Sequence, residues 1–321
     1  MKIAVFGAGA IGGYLAAKLA AADHDVAVVA RGPHLRAIQE QGLRLDEKGT
    51  VRVLPVCAVD RAEALGPQEL VIIAAKAHAM AEAAPSIASL LGPETVLLPA
   101  QNGIPWWFPY RAGAPLEGSR ILAVDPEGAV ARSLDPARVI GCVVYMAASV
   151  PEPGLVRRFG GNLLILGEPD GSSSTRLDRV AHLLKAAGIK IEMTARIRDA
   201  VWMKLWGNVA FNPVSVLTGA KMDQMADDPA VRAVLRAAMI ECQQVAAALG
   251  TRFGRDVEAR IEESRTIGDF KTSMLQDFEA GRPVEIDALV ATVVELGRRV
   301  AVKTPLLEAI AALTRLRATP R

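Results

Sequence analysis

The chain has 321 residues, 51% of them hydrophobic, with 37 basic side chains against 35 acidic ones and a formal net charge of +2. That length suits about two domains, and a charge so evenly balanced leaves no footprint for nucleic acid or an anionic membrane surface. No run nears the ~18 apolar residues of a membrane span; Cys57, Cys142 and Cys242 lie too far apart for a disulfide or zinc pattern and read as small buried hydrophobes, so the composition predicts a cytoplasmic protein without a metal.

In chain order, Lys2–Phe6 reads as a short strand that runs into Gly7-Ala8-Gly9-Ala10-Ile11-Gly12 and then a helix from Ile11 to Ala22. The spacing is the G-x-G-x-x-G of a dinucleotide-binding βα turn. Gly7 permits the tight turn, Gly9 lets the backbone approach a pyrophosphate, and Gly12 allows close helix–strand packing. The helix start, with Ala8, Ala10 and Ile11 sharing the turn, presents free N–H groups to the phosphates. A secretory signal is the competing reading. The glycines that break the apolar stretch, Lys18, and a second strand at 25–30 at βαβ spacing weigh against it.

That second strand ends at Ala30-Arg31, with no acid until Glu40. An NAD site usually places Asp or Glu there for the ribose 2′-hydroxyl, whereas a guanidinium suits a 2′-phosphate, so Arg31 favours NADP(H) over the alternative of a plain exposed loop arginine. A helix over 33–41 and a β-rich stretch to Ala58 follow. The apolar run Leu70–Ala75 predicts a buried parallel strand that stops at Lys76, at the cofactor edge of the sheet. A helix from His78 to about Leu91 ends at Gly92-Pro93, and a strand at Thr95–Leu98 leads to Asn102, which is either a turn residue or a polar group at the crevice. Trp106-Trp107-Phe108 reads first as core, with an active-site cover or an oligomer contact as alternatives. Segments 139–145 and 163–166 look like strands extending the same sheet, and a helix over 177–187 and a strand at 190–194 complete the first half.

From about residue 196 the pattern is helical throughout: 197–217, 229–249, 254–264, 273–280, 284–300 and 305–317, the last starting with Thr304 as N-cap and Pro305 at the first helical position. The shift predicts an α/β domain over 1–195 and an all-α domain over 196–321. On the first of these helices Lys204, Asn208 and Asn212 form one narrow polar stripe, while Trp202, Leu205, Trp206, Val209 and Phe211 make the remainder apolar and therefore buried. An ammonium held there is a candidate proton donor with a pKa drawn toward neutrality. A snorkelling lysine is the alternative, and the two stacked asparagines count against it. Taken alone, Ser273 reads as a helix cap and Glu285 as a first-turn charge complementing the dipole. The histidines, at 24, 34, 78 and 182, all precede this half, which disfavours a histidine acid/base.

Taken together, Gly7-x-Gly9-x-x-Gly12, Arg31, Lys76, Gln101-Asn102-Gly103, Lys204-x-x-x-Asn208-x-x-x-Asn212-Pro213, Thr272-Ser273-Met274-x-Gln276-Asp277 and Glu285-Ile-Asp287 resemble the ketopantoate reductase family over essentially the full length. The resemblance implies a Rossmann-type domain, a helical domain and a substrate cleft between them, with NADPH reducing a small-molecule 2-keto acid. It implies Lys204 as general acid, Asn208 and Asn212 on the substrate hydroxyl, and Ser273 on its carboxylate. Glu285 would act at the same site beside the nicotinamide and ribose, Asn102 would lie between cofactor and substrate, and Arg31 and Lys76 would serve the NADP side. This chain departs from the family pattern at Met222, where some members carry a substrate-contacting asparagine, at Trp106-Trp107-Phe108, and at Val143-Val144-Tyr145-Met146. Those departures keep two rivals in view: a paralogous reductase of another 2-keto acid or an opine-type dehydrogenase, and a non-catalytic NADP sensor. The apolar second half permits a homodimer.

Overall fold

The computed structural model describes residues 1–266 and 268–319. They form two compact units, one of residues 1–101, 107–112 and 127–197, the other of 102–106, 113–126 and the chain from Arg198 onward.

In the first unit the elements are β1 (Lys2–Phe6), α1 (Ala10–Ala20), β2 (Asp25–Val29), α2 (Gly32–Gln41), β3 (Leu43–Glu47), β4 (Thr50–Leu54), β5 (Cys57–Val59), β6 (Gln68–Ile73), α3 (Met80–Ala88), β7 (Leu91–Pro99), α4 (Ala129–Ser133), β8 (Gly141–Glu152), β9 (Leu155–Gly167), α5 (Thr175–Ala186) and β10 (Lys190–Met193). Five strands form a parallel sheet in the order β5-β2-β1-β6-β7. Its central strands are apolar on both faces, as helices above and below require: Leu70, Val71, Ile72 and Ile73 of β6 are all fully buried. The strand order reverses direction about β1, so the crevice where such sheets bind ligands opens at the carboxyl ends of β1 and β6.

The second sheet corrects the expectation for 139–145 and 163–166. These segments do not extend the first sheet; they belong to a long antiparallel hairpin, β8–β9, in a sheet ordered β10-β9-β3-β4 with β8 paired to β9. A single bridge, Leu97 to Val139, links the hairpin's lead-in to the first sheet. The physical reason lies in α1, whose Gly12, Gly13, Tyr14, Leu15, Ala16, Ala17 and Leu19 are buried around nearly the whole circumference. One sheet covers only one side of such a helix, and the second sheet supplies the other. Two smaller corrections follow. Gly92 and Pro93 lie inside β7 rather than ending a helix, because Leu91 pairs with Gln68; and Cys57 is exposed on the edge strand β5, while Cys142 and Cys242 are buried as expected. Trp106, Trp107 and Phe108 are buried, in keeping with the core reading.

The second unit holds α6 (Ile197–Thr218), α7 (Met222–Asp227), α8 (Pro229–Ala248), α9 (Val257–Arg265), α10 (Ser273–Glu279), a π-helical turn over Asp287–Ala291, α11 (Thr292–Arg299) and α12 (Pro305–Ala318). The short α7 was not expected. Asp228, Asp256 and Thr272 cap α8, α9 and α10 through their side chains. Thr304 stands at the expected place before α12 but does not cap it. The Glu241 carboxylate accepts from the Leu306 and Leu307 N–H groups at 3.0 and 2.9 Å instead, because a carboxylate from a neighbouring helix satisfies two donors where a hydroxyl satisfies one. Helix α6, buried along most of its length, is anchored to α8 by Trp206 Nε1, which donates to the Met239 carbonyl at 2.9 Å.

Candidate active site

The glycine turn has the geometry each position was expected to need. Gly7 takes φ +96°, a left-handed value that sends the chain off β1, and its N–H donates to Val29 O at 3.1 Å. At Gly12 a Cβ would overlap the Gly7 carbonyl oxygen and come within 2.8 Å of Ala74 Cβ, so helix and strands pack too closely for any side chain. At Gly9 a Cβ would meet nothing within 4 Å. Gly9 also stands at the N-cap of α1, with no side-chain cap and no acid in the first turn. The backbone N–H groups of Ala10, Ile11 and Gly12 thus begin a helix with no carboxylate in its own first turn. Open space over Gly9 and a helix start without an acid of its own fit a pyrophosphate.

Around this turn, Arg31 stands at the N-cap of α2, largely exposed, in a loose 3.5 Å pair with the equally exposed Glu82. Lys76 lies just past β6, half-buried, at the start of a 3₁₀ turn. Gln101 Nε2 donates to Ala75 O at 2.6 Å, tying the ends of β7 and β6 together. The sequence reading gave His34 no role here, yet its Nε2 sits 2.7 Å from Ala8 O and its Nδ1 accepts from the Gly154 N–H at 3.0 Å. Since Nδ1 accepts, Nε2 carries the proton, and the imidazole clamps the glycine turn to the β8–β9 hairpin. Only its place three residues beyond Arg31 hinted at this. Tyr14 follows the turn but is buried, and burial, with the Glu47 carboxylate adding to it, pushes its phenol up to about 12, so it remains protonated.

In the second unit the structure joins two expected residues directly: Lys204 Nζ donates to Asn102 Oδ1 at 2.6 Å. Gly103 makes this possible. It has φ +84°, and a Cβ there would overlap the Ala288 carbonyl, which accepts from Ile104 N at 3.0 Å. The segment after β7 is thus pressed onto the π-helical turn, a kind of irregularity that recurs at functional sites. Glu285 lies two residues before that turn and is buried at 8% exposure, unlike an ordinary first-turn charge. Along α6, Asn208 is half-buried and Asn212 is 5% exposed, and neither side-chain amide bonds to another described residue. Amides on a largely buried helix that bond to no described side chain are available to a ligand or water. Ser273 is not the cap of α10. Thr272 is, accepting from Leu275 N at 3.1 Å and sharing a 2.6 Å hydrogen bond with Ser215 of α6. The Ser273 hydroxyl is left exposed at the first helical position. Met222 opens α7, its N–H donating to Phe270 O at 3.0 Å.

The description "Ketopantoate reductase PanE/ApbA" matches residues 3–171, and that of the family's C-terminal region matches residues 196–318. A curated relative from Mesorhizobium japonicum, named 2-dehydropantoate 2-reductase, is 49% identical over 322 residues, covering 100% of this chain and 99% of the relative. A solved structure from Ralstonia solanacearum MolK2 aligns with a TM-score of 0.94 at 46% identity, over 99% of this chain and 97% of that one. The structure of 2-dehydropantoate 2-reductase from Geobacter metallireducens GS-15 aligns with a TM-score of 0.86 at 28% identity, over 98% and 99% of the two chains.

Proposed function

Because the chain belongs to the ketopantoate reductase PanE/ApbA family of oxidoreductases, we propose that it reduces 2-dehydropantoate to pantoate with NADPH, a step of cytoplasmic pantothenate biosynthesis, using Lys204 as proton donor. The observation that carries this reading is the 2.6 Å hydrogen bond from Lys204 to Asn102, on a helix whose Asn208 and Asn212 amides bond to no other described residue.

NADPH supplies the hydride that adds to the C2 carbonyl carbon. The N–H groups at the start of α1 and the open space over Gly9 receive the pyrophosphate, Arg31 grips the 2′-phosphate, and Lys76 adds charge on the same side. Asn102 Oδ1 accepts a hydrogen bond from the Lys204 ammonium and so orients it. As the carbonyl π bond breaks, the positioned Lys204 cation stabilises the growing negative charge on oxygen and then transfers a proton to it, completing the hydroxyl; the neutral amine recovers its proton from solvent. Asn208 and Asn212 hydrogen-bond the substrate hydroxyl, Ser273 donates to its carboxylate, and Glu285 lines the site beside nicotinamide and ribose. Met222 offers a thioether where some relatives offer an amide, which favours a second reading in which the substrate is another branched 2-oxo acid.

The test is NADPH oxidation followed by absorbance with ketopantoate, 2-ketoisovalerate, pyruvate plus arginine, and no acceptor. Ketopantoate is expected to be strongly preferred. Lys204→Ala should lower turnover at least ~100-fold with NADPH affinity retained. Preference for another acid would transfer the reading to the paralogue, equal turnover in the variant would remove Lys204 from the mechanism, and cofactor binding without turnover on a widened panel would leave a sensor.

A further inference from the structure

Between residues 201 and 216 of α6 only Met203, Lys204 and Asn208 are half-buried; every other residue is buried. Positions 203, 204, 207 and 208 share one helical face, so Gly207, which has no side chain, should be open there. It is closed by Arg260 of α9. A Cβ built on Gly207 would lie 2.7 Å from Arg260 Nη2, 3.3 Å from Cζ and 3.7 Å from Nε, so the guanidinium lies against the helix where a side chain would otherwise stand. A glycine inside a 22-residue helix disfavours helix formation, and here it makes room for a cation.

The guanidinium is oriented but incompletely used. Nη1 donates to the fully buried Ser264 Oγ at 2.9 Å, and Ser264 Oγ donates back to the Arg260 carbonyl at 3.1 Å. Glu263 stands 3.8 Å from Nη1 and is held more closely by Arg255. Nε and Nη2 bond to no described residue, although the side chain is only 20% exposed. That pair is the side of a guanidinium whose parallel N–H bonds match a carboxylate. Gly207 is three residues from Lys204, on neighbouring turns of one face. Two cations and the Asn208 amide therefore converge within about one helical turn.

We infer that Arg260 is a specificity-determining residue that grips the substrate's carboxylate through Nε and Nη2. The inference rests on the proposed 2-oxo acid reduction and deepens it. In a 2-oxo acid the carboxylate is bonded directly to the carbonyl carbon, so its partner must stand close to the proton donor. Arg260 satisfies that requirement. Ser273, which donates to the same carboxylate, contributes a neutral hydroxyl and no charge. Arg260 also supplies the charge that makes the site select an acid over a neutral ketone.

The experiment compares wild type, Arg260→Ala, Arg260→Lys and Gly207→Ala on ketopantoate and on its uncharged lactone, with melting temperatures and NADPH affinities measured alongside. Arg260→Ala should raise KM for the acid about tenfold to hundredfold, with kcat changed far less and with the lactone and NADPH unaffected. Arg260→Lys should recover part of the loss. Gly207→Ala, which pushes the guanidinium off the helix, should reproduce it without a lower melting temperature. Equal losses on acid and lactone, or weakened NADPH with an unchanged acid KM, would overturn the assignment. Should Arg260→Ala not fold, the lysine and glycine variants decide by the same comparison. If the wild type turns over neither compound, the proposed reaction fails, and calorimetric titration with pantoate then judges the subsite alone: binding lost in the Arg260 variants supports it, and unchanged binding overturns it.

Discussion

Two glycines three residues apart should fail in opposite ways when each is changed to alanine. At Gly12 the new methyl would overlap the Gly7 carbonyl oxygen and crowd Ala74 Cβ at 2.8 Å. Overpacking typically costs ~1–3 kcal/mol, and because the obstacle here is backbone that cannot swing aside, at least ~3 kcal/mol is expected. For a unit of this size that lowers the melting temperature by roughly 6–12 °C. At Gly9 the methyl meets nothing within 4 Å, and φ −66° with extended ψ suits alanine. Alanine is the poorer N-cap, but restricting the unfolded chain contributes ~0.4–1 kcal/mol in its favour, so stability should stay within about 0.5 kcal/mol of wild type. Dinucleotide binding should suffer instead. A methyl standing where the pyrophosphate approaches the backbone removes one charge-assisted hydrogen bond or more, about 10–100-fold in Kd. Thermal melts and fluorescence titration with NADPH separate the two effects. A Gly9→Ala protein that melts normally and binds NADPH like wild type would refute the pyrophosphate reading; one that melts as low as Gly12→Ala would show that the space is not open.

Arg31→Ala should weaken NADPH at least about tenfold and leave NADH nearly unchanged, with no loss of stability, because its exposed pair with Glu82 is of a kind worth ~0–1 kcal/mol; equal losses on both cofactors would remove it from 2′-phosphate recognition. Asp170 is held down to about 2 by the Ser172 hydroxyl and backbone N–H and by Arg111. Its folded value lies below the unfolded one of ~3.9. Its stabilising effect is therefore complete above about pH 4 and disappears as pH falls toward about 2. Asp170→Asn should flatten that part of the acid melting profile, and superimposable profiles would show that the cluster contributes nothing.

The parts of the site that could be read from the sequence are those whose cause is local. A G-x-G-x-x-G turn is dictated residue by residue by backbone geometry, and a polar stripe on an apolar helix follows from the helical period, so Gly7, Gly9, Gly12, Lys204, Asn208 and Asn212 stand out in the sequence as candidates. Contacts between distant segments leave no such mark. The bond between Lys204 and Asn102 joins residues 102 apart in the chain, and nothing near either names the other. Thr304 has every local feature of a cap and is displaced by Glu241 from another helix. The β8–β9 hairpin alternates like any strand pair, and its membership of a second sheet depends on α1 needing cover on both sides. Gly207 did leave a trace, since a glycine amid an apolar helix signals close approach, but which group approaches is written 53 residues later, at Arg260.

The pairing of β3 with β9 bears on how the chain is made. Asp46 and Arg157, joined across those strands, are separated by 111 residues, and β9 also carries β8 and β10. At a synthesis rate of about 5–20 residues per second, the β3–β4 hairpin waits roughly 5–20 s for its neighbour. During that interval α1 lacks one of its two covers, and β4 displays Val51 and Val53, which stay exposed even when folding is finished. The nascent amino-terminal third should therefore expose apolar surface on the ribosome, and that part of its chaperone demand should fall once residue 167 has emerged.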